Sequence, residues 1–400
     1  MKSNLSRRQF FKGVAAAAGA AAFSQTFGRF RGRAEAQSVD ESAVLLIFLR
    51  GGYNALFSSA DSFAPGGTFG CSPGNIMALG NGLVVDAPTF GTLPAIAKAN
   101  MAAIGVNHQL SSHDPARLAD WTNGSRSYAL MLAAAMGGSA AIRCAVLGSS
   151  FPDGPRPAEG SVSMQQITDL GSTLQALGSG TVDPTVPNRA TASAALASAR
   201  TMSAAPLGAN ATSLKSAREA YDSSISVLQQ SAPTFSYSTV AAAYGISSTT
   251  TAVTSFRSKM LAAEVMILAG AKVVIAVDNS GWDTHGDTTG TEVRTKMNSN
   301  ILPGLNVFLQ RMMSATGRNV TTAIFGDFAR SLPGSDHARV ISATVLGKKV
   351  ARGTTGRVSA GVGLPTGSPG IPPFWSYLAS VAKAPSNPFG ANPHSALVLP

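Results

Sequence analysis

Lys272-Val-Val-Ile-Ala-Val-Asp-Asn-Ser-Gly-Trp-Asp-Thr-His-Gly-Asp287 carries the reading on which the rest depends. Val273 to Val277 are apolar and mostly β-branched, the pattern of a strand buried on both faces. The run breaks at Asn279, Ser280 and Gly281 and delivers Trp282, Asp283, Thr284 and His285. In open α/β sheets ligands bind just outside the carboxyl ends of the strands, where this break places those side chains. Asp283 and His285 are two residues apart, so in extended backbone they point the same way. A carboxylate oxygen and an imidazole nitrogen aimed at one point make half of a divalent-metal site, or a hydrogen-bonded loop.

Working outward, further strands are expected over Ala43–Leu49, Met101–Val106, Ala140–Leu147, Thr321–Phe325 and Val340–Leu346. Helical patterns fall at 125–136, Met260–Ala271 and Val293–Met313, the last interrupted near Pro303. Strands alternating with helices predict an α/β fold, a mostly parallel sheet with helices on both faces. Residues 58–92 read as loops, and the Gly/Pro/Ser-rich tail from Gly353 as a surface wrap containing His394. An Ala/Ser/Thr-rich stretch at about 180–255, with a helical stripe over Leu214–Gln230, reads as an insertion in a single domain spanning 37–400.

Residues 1–36 read as a signal peptide. Ser6-Arg7-Arg8-Gln9-Phe10-Phe11-Lys12 is a twin-arginine pattern, followed by the apolar stretch Gly13–Phe23 and a small-x-small site at Ala34-Glu35-Ala36. That stretch is shorter than the roughly 20 residues a membrane span needs, so no stable span is expected after cleavage. The expected location is periplasmic or secreted, with the twin-arginine export machinery as a partner. Seven basic residues and one acidic residue in 1–36 account for six of the eleven net positive charges. The remainder is modest and forms no basic stripe interleaved with aromatics, so nucleic acid is not an expected partner. In an oxidising compartment Cys71 and Cys144 have the option of one disulfide.

Other strand ends carry matching chemistry. Arg50-Gly51-Gly52-Tyr53-Asn54 follows the first strand, and glycines there let the backbone approach a ligand closely. His108 and His113 follow the second strand, and Asp336-His337 forms another carboxylate–imidazole pair beyond Thr321–Phe325. Two such pairs suit one or two divalent ions (zinc, manganese, iron or magnesium), or else a polar network at the sheet edge. The crossover between Val273–Val277 and Thr321–Phe325 should make those strands parallel and often neighbours. The two pairs should then meet at one edge, with Gly51-Gly52 as the floor.

Leu49-Arg-Gly-Gly52, Ser112-His113 with Trp121 and Gly124, Gly281-Trp-Asp-Thr-His285, Gly326-Asp-Phe-Ala-Arg-Ser331 and Ser335-Asp-His337 together resemble domain-of-unknown-function family 1501. These are twin-arginine-exported proteins grouped with the alkaline phosphatase–sulfatase superfamily. The resemblance implies an alkaline-phosphatase-like core, with Asp283 and His285 as one metal pair and Asp336 and His337 as the other. It places Asn54 at a ligand position where the family usually has Asp, and Asp327 where it usually has Glu. An exported metal-dependent hydrolase of phosphate or sulfate esters is the function implied. Arg330 would grip an anionic ester, and His113 would touch substrate or act as general acid. The competing reading is a non-catalytic envelope binding or surface-assembly protein that keeps a degenerate version of this fold.

Overall fold

Ala43–Leu49 contains no polar side chain, and a strand without a polar face is stable only where both faces are covered. In the computed structural model, which describes residues 41–61, 71–177, 235–330, 335–356, 358 and 362–400, this run lies at the centre of a sheet as β1 (Glu41–Leu49). The other strands are β2 (Ser58–Ala60), β3 (Ile76–Gly80), β4 (Leu83–Asp86), β5 (Met101–Asn107), β6 (Thr122–Asn123) and β7 (Arg126–Ser127). After them come β8 (Cys144–Leu147), β9 (Met164–Ile167), β10 (Val273–Asp278), β11 (Arg318–Gly326), β12 (Val340–Gly347) and β13 (Gly353–Thr355). The chain clusters into two units, and the sheet belongs to the one formed by Asp40–Gly138, Ile142–Thr173 and Phe235–Pro400. The other comprises Met1–Val39, Ser139–Ala141 and Leu174–Thr234. The leader and the stripe expected over 214–230 lie outside the described residues.

Eight strands make one mixed sheet in the order β13-β5-β12-β11-β1-β10-β8-β9. From β11 through β9 the pairings are parallel, whereas β12 runs antiparallel to both β11 and β5. Val44, Leu46 and Phe48 join a core cluster with the helices Tyr128–Ala135 and Ile371–Val381. The alternate residues Leu45, Ile47 and Leu49 are buried too, so both faces are covered. The helices Phe256–Leu268 and Leu302–Ser314 pack on each other and on β10 and β11 respectively.

Three expectations need correction, and a fourth is located more closely. β10 and β11 are not neighbours, because β1 pairs with both and lies between them. Within 58–92, Ser58–Ala60, Ile76–Gly80 and Leu83–Asp86 form a three-stranded antiparallel sheet, β2-β4-β3. The tail is structural: β13 joins the main sheet, and Trp375 and Tyr377 of Ile371–Val381 are fully buried. The aromatic and aliphatic content of that helix outweighs the Gly and Pro around it. The long helix over 293–313 is broken into Thr291–Lys296, a π-helical turn Met297–Ile301, and Leu302–Ser314 with Pro303 in its first turn. Proline lacks the N–H needed inside a helix and suits a first turn.

No disulfide joins Cys71 and Cys144, and both are buried. Burial pushes the Cys144 thiol up to about 12. Among the described residues no helix is long and apolar enough to cross a membrane.

Candidate metal centre

At the end of β10 the chain turns around one carboxylate. Asp278 Oδ2 accepts from Trp282 Nε1 at 2.6 Å and from Ser280 N at 3.3 Å, and also bonds Ser280 Oγ. The turn buries Trp282 against Phe57, with ring centres 6.4 Å apart. Asp283 thereby emerges over Gly51. A Cβ on Gly51 would lie 2.5 Å from Asp283 N, and Gly51 has a φ of +115°, so only glycine fits under this loop. Thr284 is buried, its Oγ1 2.9 Å from Ser335 Oγ, which ties the loop to the one carrying Asp336 and His337.

His113 begins the helix His113–Trp121, whose N-cap Ser112 is extended and whose first turn holds Asp114. The expectation of a loop missed this start, and the helix is what gives His113 a fixed origin. His337 is set by the return of the chain from β11 to β12. Arg330 and His337 form an antiparallel bridge, and Ala338 N donates to Ala329 O at 3.1 Å. Phe328 is the apolar wall between the histidines, stacked on His337 at 4.4 Å and edge-on to His113 at 5.0 Å.

These loops bring His113, Asp283, His285 and His337 together, with one ligand atom from each lying within 4.8 Å of the others. From Asp283 Oδ1, His285 Nε2 is at 2.9 Å and His337 Nε2 at 3.9 Å, while His113 Nε2 is 3.3 Å from Oδ2. The remaining ring nitrogens face outward partners. His113 Nδ1 donates to Asp327 Oδ2 at 2.8 Å, and His337 Nδ1 donates to Ser111 O at 3.0 Å. Since carboxylate and carbonyl oxygens only accept, these two bonds place a proton on Nδ1, and in the neutral ring the Nε2 lone pair then points toward Asp283. Both Nε2 atoms are buried without a hydrogen-bond partner. His285 Nδ1 faces Asp336 Oδ1 at 3.6 Å. Three imidazoles oriented from behind around one carboxylate fit a divalent cation.

The electrostatics agree. Burial tends to raise the Asp283 pKa, but the hydrogen bond and charge of Arg330, with help from His113 and His285, hold it below the ordinary carboxylate value. Burial lowers His337, and the neighbouring Arg330, His113 and His285 lower it further. Both shifts favour the forms that bind metal.

The two Asp/His pairs expected from sequence do meet, although their members divide differently from expectation. His113, expected as a substrate contact or general acid, stands among the four candidate ligands. Asp336 stands outside them: it is largely exposed, and Oδ1 accepts from His337 N at 2.7 Å. Asn54 is buried, and its Oδ1 accepts from Leu56 N at 2.9 Å, closing a turn. Arg330 is 1% exposed and bonded to the protein itself: Nη2 to Asp283 Oδ1 at 2.8 Å and Trp282 O at 3.4 Å, Nη1 to Ser335 O at 3.2 Å. His394 is buried by the tail near Thr355 and Tyr377, away from this group, and burial lowers it to about 4. His108 likewise lies against Phe328, outside the four ligands.

Three supporting groups went unrecognised. Asp327, fully buried, accepts from Gly51 N at 3.0 Å, from His113 Nδ1, and from Arg117 Nη1 at 3.0 Å. Arg117 lies one turn along from His113 and also faces Asp153, which Arg50 Nη2 bonds at 2.7 Å. The carbonyl of Ser111 carries no signal in sequence. Asp327 and Arg117 did carry one, since a carboxylate after a buried strand and a cation at i+4 from a histidine are both visible.

Residues 162–363, half of the chain, match the family model described as "Protein of unknown function (DUF1501)". No curated protein and no solved structure matches the chain. The matched span includes Asp283, His285 and His337 with Arg330 and Asp327, while His113 lies before it. Carrying three of its four candidate ligands within that span, the chain belongs to the DUF1501 family.

Proposed function

We propose that this chain is an exported metal-dependent hydrolase of phosphate or sulfate esters, built on an alkaline-phosphatase-like core. One observation carries the reading: three imidazole Nε2 atoms surround Asp283 at the carboxyl edge of parallel strands, two of them buried and unpartnered. His113, Asp283, His285 and His337 would hold the ion. When bound, a divalent ion supplies Lewis-acid polarisation of an ester oxygen. The chain's own residues do the rest. Asp327, Ser111 O and Asp336 orient the rings, and Phe328 excludes water from one side of them. Arg50, on Asp153, presents a partly exposed guanidinium at this edge and is the group suited to receive an anionic ester, whereas Arg117 is committed to Asp327, Asp114 and Asp153. The twin-arginine leader supports export.

The second reading, a non-catalytic envelope binding or surface-assembly protein, is favoured by one observation. Thr284, the hydroxyl between two of the ligands in sequence, is buried and paired with Ser335 rather than presented. Metal analysis and turnover of aryl phosphate, phosphodiester and aryl sulfate with zinc, manganese or magnesium separate the two. Uptake with turnover, both lost in Asp283→Ala, is the expected result. Uptake without turnover selects the second reading, and protein with no affinity for any divalent ion removes the metal centre from both.

A further inference from the structure

The superfamily resemblance implies up to two ions, and two-metal sites hold them about 3.5–4 Å apart around shared ligands. The described residues do not supply a second set. Each of the three imidazoles turns Nε2 toward Asp283, and each Nδ1 already faces Asp327, Ser111 O or Asp336. Asp336 lies on the outer side of His285 and is occupied with His337 N. Asn54 brings no charge, and its oxygen faces Leu56 N.

What does meet Asp283 from within the protein is a guanidinium. Arg330 Nη2 lies 2.8 Å from Oδ1, the oxygen also approached by His285 and His337. The group is held by Trp282 O and Ser335 O, one from each ligand-bearing loop. Gly52 lies against its other edge, where a Cβ would come 2.4 Å from Nε. Buried and held on both loops, it has no room to swing aside for an ion. Arginine also keeps its charge in any protein environment.

We infer that the centre holds a single divalent ion and that Arg330 is its fixed second cation, filling at Asp283 the role a second metal plays in a two-ion site. This rests on the metal-centre reading above. Arg330 is on this account a positioning residue that limits how much positive charge the site accepts. Among the described residues, two dications beside that guanidinium would share one carboxylate between the rings, Asp283, while Asp327 and Asp336 lie behind His113 and His285.

The test uses the full chain loaded with Mn(II), followed by metal analysis and electron paramagnetic resonance. One equivalent, with the six-line spectrum of an isolated Mn(II), is expected. Two equivalents with an exchange-coupled multiline spectrum overturn the inference and leave the metal centre standing. Absence of uptake for manganese, zinc and iron alike overturns both. Arg330→Gln removes one positive charge near the ion and should tighten Mn(II) binding about ten-fold, whereas Arg330→Lys should stay near wild type. Loosened loops alone would weaken binding, so unchanged or weaker affinity in a folded Arg330→Gln overturns the charge role. If Arg330→Gln does not fold, the wild-type count and spectrum decide.

Discussion

Two aspartates are buried near the helix that starts at His113, and their surroundings are opposite. Asp327, 0% exposed, takes a backbone N–H, an imidazole N–H and a guanidinium N–H from Gly51, His113 and Arg117. Asp120, 1% exposed and on the same helix as His113, has no hydrogen-bond partner on either carboxylate oxygen among the described residues. Burial pushes Asp120 well above the ordinary carboxylate range, the charges of Asp327 and Asp153 push the same way, and Arg117 opposes them. Burial alone therefore does not mark a working acid. The donors do, because a buried charge is tolerated only where it is paired and hydrogen-bonded.

The largest expected effect breaks the better-satisfied member. Asp327→Ala leaves His113 Nδ1, Gly51 N and Arg117 Nη1 without their acceptor, while Arg117 keeps Asp114 and Asp153, and the loss should cost about 2–3 kcal/mol in chemical denaturation. Metal affinity should fall about 10–100-fold by titration, the scale of losing a group that orients a ligand. A stability loss with unchanged affinity would reduce Asp327 to scaffolding and erase half of the contrast. Next comes Gly52→Ala, which places a methyl against the Arg330 guanidinium at a φ of +139°. A loss of about 1–3 kcal/mol in thermal or urea unfolding is expected, with metal uptake reduced alongside.

Asp120→Asn probes the unsatisfied member. A carboxyl whose folded pKa is raised keeps its proton in the native state while the unfolded chain loses it near the ordinary value of about 3.9. Stability then falls as pH rises through that window, and the penalty is present in full at pH values above the folded pKa. Replacing the acid by an uncharged amide of similar shape should raise stability at pH 7 by about 1 kcal/mol or more, since a tenfold change in proton affinity on folding corresponds to about 1.4 kcal/mol. The gain should vanish near pH 3–4, and a pH-independent difference would point to packing instead. The smallest effect belongs to Asp336→Ala. Its side chain is largely exposed, so stability should move by less than about 0.5 kcal/mol. Calorimetry should show metal affinity only a few-fold weaker, much less than for Asp327→Ala.

Much of this was legible because strands buried on both faces announce themselves. β1, β5, β10, β11 and β12 lie where apolar runs predicted them, shifted by at most a few residues at their ends. Asp283, His285 and His337 could be singled out since they lie in the loops that leave β10 and β11. His113 was not placed with the other three because its position depends on the start of a helix after a loop, and local sequence leaves that orientation open. Arg330 was misjudged for a related reason: a guanidinium a few residues past a strand reads equally well as facing solvent or facing inward. Whether it turns in is decided by Gly52, a residue remote in sequence. The tail helix went unseen because the Gly and Pro of its flanks dominated the composition of the window around Trp375.

The central place of β1 has a consequence for how the chain acquires its shape. Val44 pairs with Val273 and Thr321, partners roughly 230 and 280 residues downstream. Closing such spans sets a high contact order, which slows folding and leaves strand edges open meanwhile. β1, made long before its partners, is thus among the last of the described strands to find its neighbours. Gly51 and Gly52, which underlie both Asp283 and Arg330, arrive with it. The geometry of the four-residue cluster should accordingly be among the latest features to form, so that any divalent ion it takes up would report complete folding, and a chaperone that shields β1 would have a long interval in which to act.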